Sequence, residues 1–158
     1  MKKLLSLILT VIMAIGTMTM VGCGKDVKIT VYTGGTGGTY YAFTNGLAPI
    51  LANKTGYTFN VVGDTGGSVA NLNAMKNGDC KMAIVQNDTM VNAYNGLTDN
   101  FKEAITNFSV VGQVYPEVIQ IVTDDANIKS LADLKGSKKS VSIGDVGSGV
   151  EANAVALL

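Results

Sequence analysis

The chain contains no histidine, no arginine and no tryptophan, and only two cysteines and two prolines among its 158 residues. Each absence removes a class of chemistry. Without histidine there is no Ser-His-Asp or Cys-His catalytic pair and no imidazole ligand for a metal. Without arginine, a carboxylate cannot be held by a planar bidentate fork. All twelve cationic side chains are lysines, balanced by twelve acids to a formal net charge of zero. No basic patch therefore points to nucleic acid. An anionic partner has to be met by backbone N–H groups, hydroxyls, side-chain amides or lysine. What is abundant is apolar surface and glycine. The 47% of hydrophobic residues suffices for a packed core, and 19 glycines are available for tight loops. Length alone suggests one domain.

Residues 1–23 read as a targeting segment and are set aside from the fold. Lys2-Lys3 is a charged start and Leu4 to Met18 an apolar run. Met20-Val21-Gly22-Cys23 is similar to the lipobox of bacterial lipoproteins. That similarity implies a signal peptide over 1–22, lipidation of Cys23 after cleavage, and a tether over 23–27. Met20 stands where lipoboxes usually have Leu. The competing reading is a transmembrane anchor, for which the apolar run is short and lacks a basic stop. With Cys23 lipidated, Cys80 has no disulfide partner. It precedes an apolar run, as a buried thiol does, and no histidine is present to activate it. The expected location is extracytoplasmic, with the chain lipid-anchored to the cell membrane.

From Lys28 onward, strand patterns alternate with helix patterns, which predicts an α/β fold with a largely parallel sheet. Ile29 to Tyr32 reads as the first strand. Ala42 to Lys54 reads as a helix, with Phe43, Leu47, Ile50 and Leu51 on one face and Gly56 closing it. Tyr57 to Val62 is a second strand, and Val69 to Lys76 a second helix with Ser68 as its cap. Lys81 to Gln86 is a third strand, and a helix opens at Asn87-Asp88 and runs towards Tyr94. Asn95 to Asn107 reads as surface, with a short helix near Lys102 to Ile105. Strands are expected at Ser109 to Val114, Val118 to Val122 and Ser140 to Ile143. A short helix is expected at Leu131 to Leu134, and a last one from Val150.

Three loops share one construction, in which a strand leads through glycines and hydroxyl residues into a helix. They are Gly34–Thr39, Thr65–Ser68 and Gly147–Gly149. In an open parallel sheet such loops gather at the carboxyl ends of the strands, where ligands bind. Their N–H donors and hydroxyls can replace the missing arginine around a carboxylate. Candidate ligand contacts are therefore Gly38, Thr39, Gly67, Ser68, Gly147, Ser148 and Gly149. Tyr40 and Tyr41 follow the first loop as pocket or rim aromatics, and Tyr115 is a possible pocket wall. The Gln86 amide suits a bound amino or carboxylate group, though a strand-end Gln can also simply cap the next helix. Asp88 is either a ligand contact or a helix cap. No loop has the G-x-x-x-x-G-K-[ST] spacing of a phosphate-binding enzyme. No EF-hand spacing is present, and neither a metal nor a cofactor is expected.

Several of these strings resemble the TAXI solute receptors, the TRAP-associated extracytoplasmic immunogenic proteins. Gly35-Thr36-Gly37-Gly38-Thr39-Tyr40-Tyr41 is similar to that family's opening GTGGTYY loop. Thr65-Gly66-Gly67-Ser68-Val69, with Asn71-Leu72, is similar to its TGGSVENL element, and Val85-Gln86-Asn87-Asp88 to its VQSD element. Tyr115-Pro116-Glu117 and Gly147-Ser148-Gly149 are similar to its YPE and GSGT turns. Val150 stands in place of Thr and Ala42 in place of Pro. The resemblance spans about 28–158 and implies a periplasmic-binding-protein-like (type II) fold of two lobes joined by a hinge. The first lobe would cover 28–125 and the second begin within 126–158, continuing beyond Leu158. The implied function is capture of a small organic anion, such as glutamate, glutamine or a related carboxylate. The solute would pass to the membrane subunits of a TRAP-type transporter, with no enzymatic step. A lipid-anchored sensing domain feeding a signalling partner is the alternative.

Overall fold

The computed structural model describes residues 27–158. Cys23 and the rest of the expected targeting segment lie outside the described residues. No helix among the described residues is long and apolar enough to cross a membrane. The strands are β1 (Lys28–Tyr32), β2 (Thr58–Val62) and β3 (Met82–Ala83), forming a parallel sheet of order β2-β1-β3. Register runs Lys28↔Thr58 to Tyr32↔Val62 on one side and Val31↔Met82 on the other. The helices are α1 (Thr39–Thr55), α2 (Ser68–Asn77), α3 (Asn87–Asn95) and α4 (Gly149–Leu157), with a 3-10 turn at Leu131–Leu134. Each strand of the sheet leads directly into a helix, so the β1–α1, β2–α2 and β3–α3 loops share one end of the sheet.

Helix ends follow the glycines. Gly56, Gly78 and Gly96 cap α1, α2 and α3 at φ of 73°, 85° and 64°, a region a side chain rarely enters. At Gly96 space matters as well, since a Cβ there would lie 2.9 Å from the Ala104 nitrogen. That close approach folds the following segment back on α3. Ile105 N–H donates to the Ala93 carbonyl at 2.8 Å, and Phe101 and Ile105 become core residues beside Val69, Leu72 and Ala93. The stretch 95–107 is thus partly interior and carries no helix near Lys102, contrary to the sequence expectation. Phe101 and Ile105 have the i, i+4 spacing of a helical face, but the return of the chain over α3 buries them without a helix.

Three further expectations fail. First, α1 begins at Thr39, not Ala42, because a turn from Gly38 N–H to the Gly35 carbonyl (2.8 Å) ends the loop earlier. Second, Gly67 at φ 107° is the cap of α2, and Ser68 is already its first helical residue, its hydroxyl bonded to the Gln86 N–H instead. Third, Ser109–Val114, Val118–Val122 and Ser140–Ile143 form no strands. A strand needs a ladder partner for its N–H and C=O groups, and these segments find none among the described residues. Val111 and Val122 are 88% and 90% exposed as a result. Together with α1 and the sheet they line an open trough of about 2020 Å³.

Candidate functional site

The site is assembled at the carboxyl ends of β1 and β3. Asn71, fully buried on α2, donates its Nδ2 to the carbonyls of Thr33 (2.6 Å) and Ile84 (3.0 Å). One amide thereby ties together the chain leaving both strands. Asp64 plays the matching part between loops. It sits at φ 54°, its N–H donates to the Gly34 carbonyl, and its carboxylate accepts from Thr36 N–H (2.9 Å) and hydroxyl (3.2 Å). Neither residue was singled out from the sequence as a site residue. The available signal was the Asp at a position following glycine between strand and helix, since Asp tolerates the left-handed region.

Ser68 lies at the centre, 1% exposed, and its Oγ accepts the Gln86 N–H at 3.0 Å. The third glycine loop closes onto this layer. Ala70 N–H donates to the Gly147 carbonyl at 3.1 Å. A Cβ on Gly67 would meet the Ser148 Cα at 3.1 Å, and one on Gly149 would overlap the Gln86 Oε1. Ser148 caps α4 by accepting the Glu151 N–H at 3.0 Å, while Glu151 accepts the Gly147 N–H at 2.7 Å. The two further expected loop residues, Gly38 and Thr39, are exposed at the start of α1.

An aromatic wall stands beside Ser68. Tyr40 and Tyr115 have ring centroids 6.3 Å apart, and Phe43 meets Tyr115 edge-on at 6.1 Å. The Tyr40 hydroxyl donates to the Glu117 carboxylate at 2.9 Å. Burial, and then the Glu117 carboxylate, push the Tyr40 phenol well above its usual range, while the Ser68 hydroxyl pulls the other way. Burial also raises Tyr115, with Glu117 adding to it. Tyr41 is not part of this wall. A Cβ on Gly63 would fall 3.0 Å from its ring, so Tyr41 packs on the β2–α2 loop instead. Asp88 is exposed in the first turn of α3, where a carboxylate complements the helix dipole, and it lines the trough.

The chemistry of the cluster is hydrogen bonding without a cation. Its loops carry N–H groups, hydroxyls and one amide, and no lysine. Among the described residues, Thr65 Oγ1, Asn71 Oδ1, Gln86 Oε1, Thr89 Oγ1 and Tyr115 OH are buried atoms with no hydrogen-bond partner. Buried polar groups are normally paired, so these five leave a defined demand for donors and acceptors. Asn71 Oδ1 and Gln86 Oε1 can only accept, whereas the three hydroxyls can do either.

A sequence model of the NMT1-like family matches residues 31–158, the span that holds the end of β1, all of β2 and β3, all three glycine loops and the aromatic wall. The chain belongs to the NMT1-like family, a periplasmic-binding-protein-like family.

Proposed function

We propose that the protein is an extracytoplasmic receptor that captures a small organic anion and delivers it to a TRAP-type secondary transporter. Membership of the NMT1-like family carries a solute-binding role in general. The observation that carries the finer reading is the meeting of two glycine loops, Thr65–Ser68 and Gly147–Gly149, at Gln86, next to Tyr40 and Tyr115. Loops of this kind present N–H donors and helix N-termini to an anion. The likeness of these loops to TAXI receptors supports a carboxylate such as glutamate or glutamine. In this reading residues 28–125 form one lobe and 126–158 begin the other, Cys23 bears the lipid anchor, and no reaction is catalysed.

Isothermal titration of the protein against a panel of amino acids and mono- and dicarboxylates tests the solute class. Micromolar or tighter binding of at least one carboxylate is the expected outcome. Binding of neutral sugars or cations alone, with no carboxylate bound, would overturn it.

A further inference from the structure

The start of α4 is held against the α2–α3 layer by a fit that involves one particular glycine. Gly149 is the buried residue of α4, yet its backbone is helical and demands no glycine. Glycine brings the helix no conformational advantage there. Gly147 and Gly67, by contrast, sit at φ of 81° and 107° and are explained by their backbones. At 149 the reason is space: a Cβ would overlap the Gln86 Oε1 and lie 3.1 Å from the Ser68 Oγ.

To admit a methyl at 149, the amide end of Gln86 has to swing out of a buried volume while its backbone stays in place. Its N–H is fixed on the buried Ser68 hydroxyl at 3.0 Å, and its Oε1 is a buried atom with no partner among the described residues. The cap of α4 is self-contained through Ser148 and Glu151, so those bonds do not attach it to the rest of the chain. Attachment is shared by the Ala70 N–H to Gly147 carbonyl bond, the close approach of Gly67 to Ser148, the packing of Ala152 on the core and the contact between Gln86 and Gly149. We propose that Gln86 and Gly149 form an interlock, in which the amide fills the volume of the absent side chain and thereby seats the α4 N-terminus on α2. Gly149 is then a positioning residue acting through Gln86, and any displacement of α4 withdraws the seat from the amide. The interlock does not depend on the identity of a solute.

The test is amide hydrogen exchange on the solute-free protein, comparing Gly149→Ala, Gln86→Ala and the double variant. The Ala70 amide reports the seat, and the Thr33 amide, bonded to the Val62 carbonyl, reports the sheet. Gly149→Ala should lower Ala70 protection by about tenfold or more while Thr33 protection is kept, the mark of a local opening. Gln86→Ala should lower it less, and the double variant should return to the Gln86→Ala level, because the smaller side chain accepts the methyl. An unchanged Ala70 amide in Gly149→Ala overturns the interlock. So does a double variant no better protected than Gly149→Ala. Should Gly149→Ala lose the sheet as well, recovery of Thr33 protection in the double variant supports the interlock, and failure to recover it overturns it.

Discussion

Replacing Asn71 with Ala tests whether the site's framework rests on one side-chain amide. The perturbation removes two hydrogen bonds, to the carbonyls of Thr33 and Ile84, at a residue with no exposure. The truncated side chain leaves both carbonyls without that donor, and Thr33 is itself fully buried. An unsatisfied buried polar group costs about 1–3 kcal/mol. One bond is short and buried, and the other is ordinary and only partly buried. A loss of about 2–4 kcal/mol in unfolding free energy follows, a large part of the roughly 5–15 kcal/mol typical of a domain. Urea unfolding followed by circular dichroism measures it, with Asn73→Ala as the control. Asn73 is exposed and bonds only the Val69 carbonyl of its own helix, so its loss should stay within about 0.5 kcal/mol. Asn71→Asp should be at least as damaging as Asn71→Ala, because an ionised carboxylate has no hydrogen to give. A stability change in Asn71→Ala no larger than that of Asn73→Ala would refute the reasoning.

Two more outcomes are open to measurement. The Lys139 ammonium, 2.8 Å from the Asp125 carboxylate, and then the Asn127 N–H hold the Asp125 carboxyl down to about 2 from an ordinary 3.8. Because the folded value is the lower one, the pair stabilises above about pH 3.8 and loses its effect as the pH falls towards 2. Lys139→Met should move the Asp125 midpoint back towards 3.8 in a carbon-detected titration, and an unmoved midpoint contradicts the pairing. Replacing Cys23 with Ser should release the protein from membranes on fractionation, since stable anchoring takes more than one acyl chain. Continued membrane association of that variant would count against the lipobox.

Local chemistry made much of this structure readable, and long-range pairing made the rest opaque. Gly56 announced the end of α1 because a left-handed cap is a local requirement, and Gly78 and Gly96 cap α2 and α3 in the same way. The three glycine loops were visible for the same reason, and the structure brings two of them into contact around Ser68 and Gln86. Tyr40 and Tyr115 were readable as wall candidates, but nothing in the sequence separated Tyr40 from Tyr41; only the first faces Glu117. Propensity also misled. Ser109–Val122 is rich in β-branched residues, yet a strand is a relation between two segments, and a single run cannot say whether its partner is present. Phe101 and Ile105 were unreadable as core because their burial depends on the return of the chain over α3.

The unpaired stretch after Tyr115 has a consequence for the life of the chain in solution. Val118-Ile119-Gln120-Ile121-Val122 is an uncharged, β-prone run whose Val118, Ile119, Ile121 and Val122 are 76%, 59%, 58% and 90% exposed. Windows of this kind template intermolecular sheets when their backbone groups are free. Pro116 and Glu117 stand immediately before it and Asp124 and Asp125 soon after, the flanking pattern that breaks cross-strand stacking and repels a second copy. Glu117, the partner of Tyr40, and Asp125, the partner of Lys139, thus stand with Pro116 and Asp124 where gatekeepers against fibrillar self-association belong. Whatever finally lies along this run inherits a surface kept soluble by its borders rather than by its own composition.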